Sequence, residues 1–405
     1  MNKENISNKL KNSKSFFLTL VSITAIGPVA MQLYIPSVPL ITKEFKISLG
    51  ITQLAFSLSL LSMAVAMLLY GPLSDKYGRK KILIIGISIF TIGSIVSSIS
   101  VNIEMIIFGR IIQSIGGAGG LVIARAIVRD IYGPDDSPRV LGTLITIFIV
   151  APLISVILGG VITDYLGWRW IFYLSTLLGL VVFLLIYFYI PIKIYANTVT
   201  DNNQINTIMK SYFLLIKSPV FIGYSFQGAF APAAFIAFMA VGPYLMINEL
   251  NRPATEFGVF FGIVTLFFMI ANYTGGRISK LLSIEKTVLL GGSISLLAGI
   301  LGISLYVNIG LTVLVMFGIQ TLSSIGNGIA MPSSQIGAMN VNPKFSGTAS
   351  GVSAFIQTIV CAIFAQLVSS INLDFAYNLF LATLIASLGS FIFGSIPFII
   401  NKYKK

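Results

Sequence analysis

Arg110 is the residue whose type and position most clearly indicate a chemical role. It lies between the apolar runs MIIFG and IIQSIGG, in a stretch long enough to cross a membrane. A charged side chain in such a place is costly and usually functional. Gln113, three residues later, lies on the same face if the stretch is helical. A guanidinium there can bind an anionic substrate or contact a coupling ion, or it can serve structurally in an ion pair or a carbonyl clamp.

Acid–base and metal chemistry have few other groups to use. The chain has no histidine and one cysteine, Cys361, which excludes a catalytic imidazole, an internal disulfide and a thiolate metal site. The carboxylates lie near the ends of the apolar segments or outside them, and none lies in the middle of one. We therefore expect neither an enzyme nor a metal site, and no cofactor beyond a proton as coupling ion.

The composition is that of a membrane protein. Of 405 residues, 56% are hydrophobic and 10% are charged, whereas a soluble domain carries about 25% charged residues. The net charge of +13 does not indicate a nucleic-acid partner, because the basic residues form short clusters between apolar spans. The expected partners are the lipid bilayer and a small-molecule substrate, and the expected state is a monomer.

Twelve apolar segments are each long enough, at about 20 residues, to cross the hydrocarbon layer as a helix. They lie near 16–38, 50–72, 82–100, 103–124, 139–163, 169–191, 219–247, 255–275, 287–307, 310–332, 346–370 and 375–398. The sequence thus predicts an all-α membrane protein with twelve transmembrane helices in two six-helix halves. The expected parts are a tail (1–15), the first half (16–192), a polar linker (193–218), the second half (219–400) and a tail (401–405).

The basic residues predict the orientation, since Lys and Arg accumulate in cytoplasmic loops. With the N-terminus inside, most of them fall on the cytoplasmic side, and the opposite side holds Lys43, Lys46, Arg169 and Arg252. We therefore predict a multi-pass protein of the bacterial inner membrane with both termini in the cytoplasm.

A short motif recurs at the corresponding loop of each half. GPLSDKYGRKK begins at Gly71 and GRISKLLSIEK begins at Gly276, as expected for parallel repeats. The first copy resembles the loop signature of the major facilitator superfamily, G-x-L-a-D-r-x-G-r-k-x. Its glycines, including Gly78, permit a tight turn between close-packed helices, and Asp75 and Arg79 can pair across neighbouring helix ends.

Within that superfamily, the chain resembles the bicyclomycin/chloramphenicol-resistance (Bcr/CflA) type of drug exporter. The resembling segments are LYIPSVP at 33–39, RIIQ at 110–113, ARAIVRD at 124–130, GWRWIF at 167–172, and SGTAS at 346–350 with Gln357. Two positions depart from the pattern. Gln32 replaces an acidic residue, and SVILGG at 155–160 keeps only the final glycines, Gly159 and Gly160, of G-P-x-x-G-G. Pro152 nearby still offers a kink.

The resemblance implies a central substrate cavity lined by spans 1, 4, 7 and 10. The candidate cavity residues are Gln32, Tyr34, Arg110, Gln113, Tyr224, Gln227, Gln320, Ser324, Asn327 and Gln357. Those on span 10 follow an i, i+4, i+7 pattern and form one stripe. For any one of these amides, a hydrogen bond between helices is the better explanation than contact with a ligand. The candidate gating and coupling residues are Gly71, Asp75, Gly78, Arg79, Arg129, Asp130, Pro152, Gly159 and Gly160.

The function that the resemblance implies is export of small amphipathic drugs by alternating access, as a drug/proton antiporter. Two hypotheses for the driving force stay open. Either Asp75 or Asp130 couples protons at the cytoplasmic gate, or Arg110 lacks its acidic partner and prefers an anionic substrate. The alternatives are therefore a facilitator or importer of a small metabolite anion recognised by Arg110 and, from another class, a non-transporting membrane receptor or scaffold.

Overall fold

The computed structural model describes residues 11, 13–191, 214–342, 346–371 and 374–403. Side chains within these ranges are described except at 121, 129, 133–139, 141–142, 145–149, 152–153, 346–348 and 402–403. The described residues form helices and no strands, and eleven of these helices are long and apolar enough to cross a membrane. The prediction of an all-α membrane protein is thus confirmed. The predicted linker, 193–218, and the predicted N-terminal tail, 1–15, lie largely outside the described residues, whereas 401–403 of the predicted C-terminal tail continue the last helix.

The chain divides into two compact units. The first unit comprises Met1–Ile47 and Leu54–Thr200, and the second unit comprises Ser48–Gln53 and Asp201–Lys405. The helices up to the predicted linker are α1 (Lys14–Tyr34), α2 (Val38–Phe45), α3 (Leu49–Tyr77), α4 (Arg79–Ser98), α5 (Ile103–Tyr165) and α6 (Arg169–Tyr189). A 3₁₀ turn, Ile35–Ser37, joins α1 to α2, so together they form one candidate span.

The 63-residue helix α5 contains two of the predicted spans, 103–124 and 139–163. Gly117 packs against Gly27 of α1, and Gly159 packs against Leu33 of the same helix. These partners are about 9 Å apart along α1, whereas Gly117 and Gly159 would be about 63 Å apart in a straight helix. The backbone of α5 therefore reverses direction between the two contacts. Its first arm is a candidate span, and its second arm includes a shorter apolar segment, Ile154–Tyr165.

The helices of the second unit follow in order. They are α7 (Pro219–Tyr244), α8 (Ala254–Leu282), α9 (Ile284–Ile309), α10 (Val313–Asn340), α11 (Ser346–Ser370) and α12 (Phe375–Tyr403). A π-helical turn, Leu245–Glu249, extends α7. Phenylalanines form much of the packing between these helices: the ring of Phe238 lies 5.6 Å from that of Phe257 and 5.3 Å from that of Phe317.

The repeated motif is mostly helical, and its turn is a single residue in each unit. The GPLSDKY part belongs to α3 and GRISKLL belongs to α8, so both helices extend beyond the predicted spans. Ser74 Oγ donates to Gly71 O at 2.9 Å, and Ser279 Oγ donates to Gly276 O at 3.1 Å. The turns that follow are Gly78, with φ 96°, and the equivalent Ser283, with φ 83°. The structure thus confirms the predicted internal repeat.

Ser283 adopts a backbone conformation that suits glycine better than serine. Its φ of 83° and ψ of 160° lie in a region that is essentially restricted to glycine, at a strain of about 1–3 kcal/mol. We expect Ser283→Gly to stabilise the protein by about 1 kcal/mol, measured by thermal unfolding in detergent. Ser293→Gly, at an exposed position inside α9, is the matched control and should destabilise slightly. A loss of stability in Ser283→Gly would contradict this expectation.

Glycines set the helix register in both units. A methyl group built on Gly116 of α5 would collide with Phe90 N and Gly86 O of α4. In the second unit, a methyl group on Gly326 of α10 would lie 2.5 Å from Gly291 O of α9. Glycines allow such close approach of membrane helices. Since Gly86 corresponds to Gly291 and Gly116 to Gly326, the two helix pairs have the same register.

Candidate functional site

Arg110 lies in the first arm of α5 and is 1% exposed. Its Nη1 donates hydrogen bonds to Ala30 O of α1 at 3.2 Å and to Gln113 Oε1 at 2.5 Å. The shared helix face predicted for Arg110 and Gln113 is therefore observed. A guanidinium held by a backbone carbonyl and a neighbouring amide has little rotational freedom.

The remaining contacts of the Arg110 and Gln113 side chains connect three helices. The guanidinium carbon of Arg110 lies 4.7 Å from the centre of the Tyr34 ring, so the tyrosine at the end of α1 covers its face. Gln113 Nε2 donates to Ser94 Oγ of α4 at 2.7 Å. We call Arg110, Gln113, Ser94 and Tyr34 the Arg110 cluster. Its contacts fix the position of the charge within the first unit.

One edge of the guanidinium is unused. Arg110 Nε and Nη2 are buried without a hydrogen-bond partner in the described part of the chain, and so is Ser114 Oγ one turn further along α5. Arg110 and Ser114 line a narrow pocket with Gly27, Ala30, Met31, Met63, Phe90 and Gln113. In this conformation the pocket has no room for a water molecule. The side of the pocket that these groups form presents hydrogen-bond donors.

Gln32 is not part of the Arg110 cluster. Ala30 and Tyr34, four residues apart, share the face of α1 that meets Arg110. Gln32 is two residues from each and points about 200° around the helix. Its Oε1 is buried without a hydrogen-bond partner among the described residues. A carboxylate at this position would therefore not pair directly with Arg110 in this conformation.

The second unit has a neutral counterpart of the Arg110 cluster. By the glycine register, Gln320 and Ser324 of α10 occupy the positions of Arg110 and Ser114. Gln320 Nε2 and Ser324 Oγ are also buried without a partner among the described residues. Asn327, on the same stripe, donates from Nδ2 to Ala231 O of α7 at 2.6 Å, and its Oδ1 accepts from Ser295 Oγ of α9 at 2.9 Å.

The other cavity candidates of the second unit pack between helices. Gln227 Nε2 donates to Ser390 Oγ of α12 at 3.2 Å. The Tyr224 ring lies against Gly337 of α10. Gln357 is partly buried on α11. The hydrogen bonds of Gln113, Asn327 and Gln227 are those expected of amides that hold membrane helices together.

Arg79 connects two of the other gating candidates, Asp75 and Asp130, in the first unit. It is 4% exposed, pairs with Asp75 of α3, and reaches Asp130 Oδ2 of α5 with its Nε at 3.2 Å. Its Nη1 also donates to Ser74 Oγ at 2.6 Å. One buried cation thus connects the α3–α4 turn to α5.

The remaining gating candidates are less closely connected. A methyl group built on Gly71 would lie 3.9 Å from the Val122 side chain, which is ordinary van der Waals contact. A methyl group built on Gly159 would lie 2.6 Å from Leu33 O, so the two backbones are in close contact there, and Gly160 is buried beside it. The side chains of Arg129 and Pro152 lie outside the described residues.

A further polar cluster, at Trp168, was not predicted. Glu44 of α2 accepts from Trp168 Nε1 at 2.5 Å and from Arg169 Nη1 at 2.8 Å. Arg169 also donates to Ser100 O at 3.3 Å. The rings of Trp168 and Tyr34 lie 6.1 and 6.2 Å from that of Phe172. Aromatic contacts therefore connect this Trp168 cluster to the Arg110 cluster.

The described residues contain no group of three or more His, Cys, Asp or Glu side chains that could hold a metal ion.

Comparison with known proteins extends over almost the whole chain. The family model described as Major Facilitator Superfamily matches residues 20–365. The bicyclomycin resistance protein homolog of Haemophilus influenzae is 28% identical over 91% of this chain and 92% of its own length. Multidrug resistance protein MdtL of Klebsiella pneumoniae is 26% identical over 92% of this chain and 92% of its own length.

Solved structures of low identity show the same fold. A bacterial homolog of the human lysosomal transporter Spinster, in an inward-facing conformation, matches with a TM-score of 0.79 at 13% identity, over 95% of this chain and 96% of that one. A D-xylose–proton symporter matches with a TM-score of 0.72 at 13% identity, over 94% of this chain and 98% of that one.

Proposed function

The chain belongs to the Major Facilitator Superfamily and is a multi-pass membrane transporter, and we propose that it exports small amphipathic drugs by alternating access, with protons as coupling ion. The observation that carries this proposal is the similarity, over more than nine-tenths of both lengths, to proteins named for bicyclomycin and multidrug resistance. In the proposed arrangement the protein is a monomer of the bacterial inner membrane with both termini in the cytoplasm.

The proposed proton site is the carboxylate pair on Arg79. A proton on Asp130 would neutralise one of the two carboxylates that hold the buried guanidinium, and it would weaken the contact between α4 and α5. The Asp130 side chain is 23% exposed, so a proton can reach it from water. This is the first of the two hypotheses for the driving force, in which a carboxylate near the end of a membrane span couples protons.

Drug accumulation in an efflux-deficient bacterial host tests the proposal. We expect cells that express the chain to accumulate several-fold less of at least one drug in a panel, and a protonophore to abolish the difference. Asp130→Asn should abolish it as well. Asp164→Asn, which removes an exposed carboxylate at the far end of α5, is the matched control and should export normally.

Each other outcome rejects a defined part of the proposal. Export that survives both the protonophore and Asp130→Asn would remove proton coupling and leave export. Equal accumulation of every drug, with the protein well expressed, would reject export and favour transport of a metabolite anion.

A further inference from the structure

One specific pair of donors on the Arg110 guanidinium has no hydrogen-bond partner among the residues that the structure describes. Nη1 is occupied by Ala30 O and Gln113 Oε1, and the Tyr34 ring covers one face. The free donors, Nε and Nη2, form the side edge of the planar group, where their N–H bonds run parallel. Parallel donors of this kind match the two oxygens of a carboxylate in a bidentate hydrogen bond.

A third free donor lies beside this edge. Ser114 Oγ, four residues along the same helix, is buried without a partner in the described part of the chain and lines the same pocket. Buried polar groups are nearly always hydrogen-bonded, and exceptions need an explanation. Three unpaired donors around one pocket are explained by an acceptor-rich group that is bound only for part of the transport cycle.

The rest of the pocket is apolar and adaptable. Met31 of α1, Met63 of α3 and Phe90 of α4 line it beside the donors. The pocket is closed in this conformation, so binding requires a wall to move. Methionine is unbranched and repacks readily, which makes Met31 and Met63 the side chains most able to open the space. An apolar wall beside a cationic edge suits a ligand with an apolar body and an anionic end.

The second unit shows that helix packing does not require this charge. Gln320 and Ser324 occupy the same register positions on α10, which packs against α9 through the Gly291–Gly326 contact. A neutral amide is thus compatible with the same close helix pair. The positive charge of Arg110 is specific to the first unit, and its burial needs another reason.

We propose that the free edge of Arg110, together with Ser114 Oγ, binds a carboxylate, and that the substrates of this transporter are small amphipathic compounds with a carboxylate group. The inference rests on the proposed function, because it takes the exported compounds to be small and amphipathic. It identifies the group by which the first unit recognises them.

Binding of a matched acid and amide tests the inference on the purified full-length protein in lipid nanodiscs. The probes are 1-naphthaleneacetate and its uncharged amide, 1-naphthaleneacetamide, which share the apolar body. We expect the wild-type protein to bind the acid about tenfold more tightly than the amide, as a bidentate charge-assisted hydrogen bond implies. Equal binding of the two probes, or no binding of the acid, would overturn the inference.

Variants assign the preference to the proposed donors. Arg110→Lys keeps the charge and loses the fork, so most of the preference for the acid should disappear, while amide binding shows that the variant is folded. Ser114→Ala should weaken acid binding about threefold, as expected for one hydrogen bond. Arg277→Lys, at an exposed position on α8, is the control and should bind both probes like the wild type. Full retention of the preference in Arg110→Lys would contradict the proposal.

A variant of the pocket wall tests the inference a second time, whether or not Arg110→Lys folds. Met63→Ala removes part of the wall and should raise the affinity for the acid; an unchanged or lower affinity would count against the pocket. The assay also separates this inference from the proposed function. Acid-selective binding without drug export would reject export alone, whereas export with equal binding of acid and amide would reject the inference alone.

Discussion

Arg79→Gln is expected to abolish transport and to lower the free energy of unfolding by about 2 kcal/mol. Loss of one partner from a fully buried ion pair costs about 3–5 kcal/mol, because it leaves an uncompensated charge. Here the side chains left behind, Asp75 and Asp130, are 51% and 23% exposed, so water compensates part of the loss. Transport suffers more than stability, since Arg79 connects the α3–α4 turn to α5.

The control for this variant is its neighbour Lys81, whose side chain is exposed. Lys81→Gln removes the same charge from the same turn and should leave drug export and thermal stability nearly unchanged. Combining Arg79→Gln with Asp75→Asn and Asp130→Asn should recover stability without recovering transport. Recovery of transport in the triple variant would show that Arg79 acts only by neutralising the carboxylates.

Gly116→Ala is expected to destabilise the protein by about 3 kcal/mol, the upper end of the range for overpacking. The added methyl group meets Phe90 N and Gly86 O, which are backbone atoms and cannot rotate away. The contact between α4 and α5 would have to open, and the Ser94–Gln113 hydrogen bond next to it would lengthen or break. Thermal unfolding in detergent and the yield of monodisperse protein measure the effect.

Gly318→Ala provides the comparison, since it adds the same methyl group inside α10 at an exposed position where, among the described residues, no other helix comes within 4 Å of that methyl group. Alanine is the better helix former by about 1 kcal/mol, so this variant should be neutral or slightly more stable. Equal stability of the two variants would show that the α4–α5 contact is looser than the structure has it.

Hydropathy located the membrane helices well and their ends less well. The GRISKLL segment was predicted to be a loop because it is polar, yet it continues α8 to Leu282. Polarity reports where a chain leaves the lipid, and a helix can continue into water beyond that point. The turn itself depends on one backbone conformation, at Gly78 and Ser283, and a serine gives no sequence signal for it.

The candidate site was predictable where its residues share one helix. The Arg110–Gln113 contact follows from their spacing. Their partner Ser94 lies on another helix, and its position depends on the register that Gly86 and Gly116 impose. Gln32 was grouped with Arg110 by resemblance, although its spacing from Ala30 places it on another face of α1.

The Trp168 cluster had a signal that sequence reasoning did not use. A buried tryptophan N–H usually finds a hydrogen-bond acceptor, and Glu44 follows the predicted first span, on the side of the membrane where Trp168 is also predicted to lie. Arg169, next in the chain, adds an opposite charge. Pairing them required knowing that α2 continues the first span as far as Phe45.

The enclosed charge of Arg110 also gives the first unit an electrical property. Moving one elementary charge through a membrane potential of 100 mV takes about 2.3 kcal/mol, so a displacement through a quarter of that potential is worth about 0.6 kcal/mol, close to the thermal energy. Without a bound anion, any step that carries Arg110 along the field is therefore sensitive to voltage. A carboxylate on its free edge cancels the charge, and the same step then becomes electrically silent.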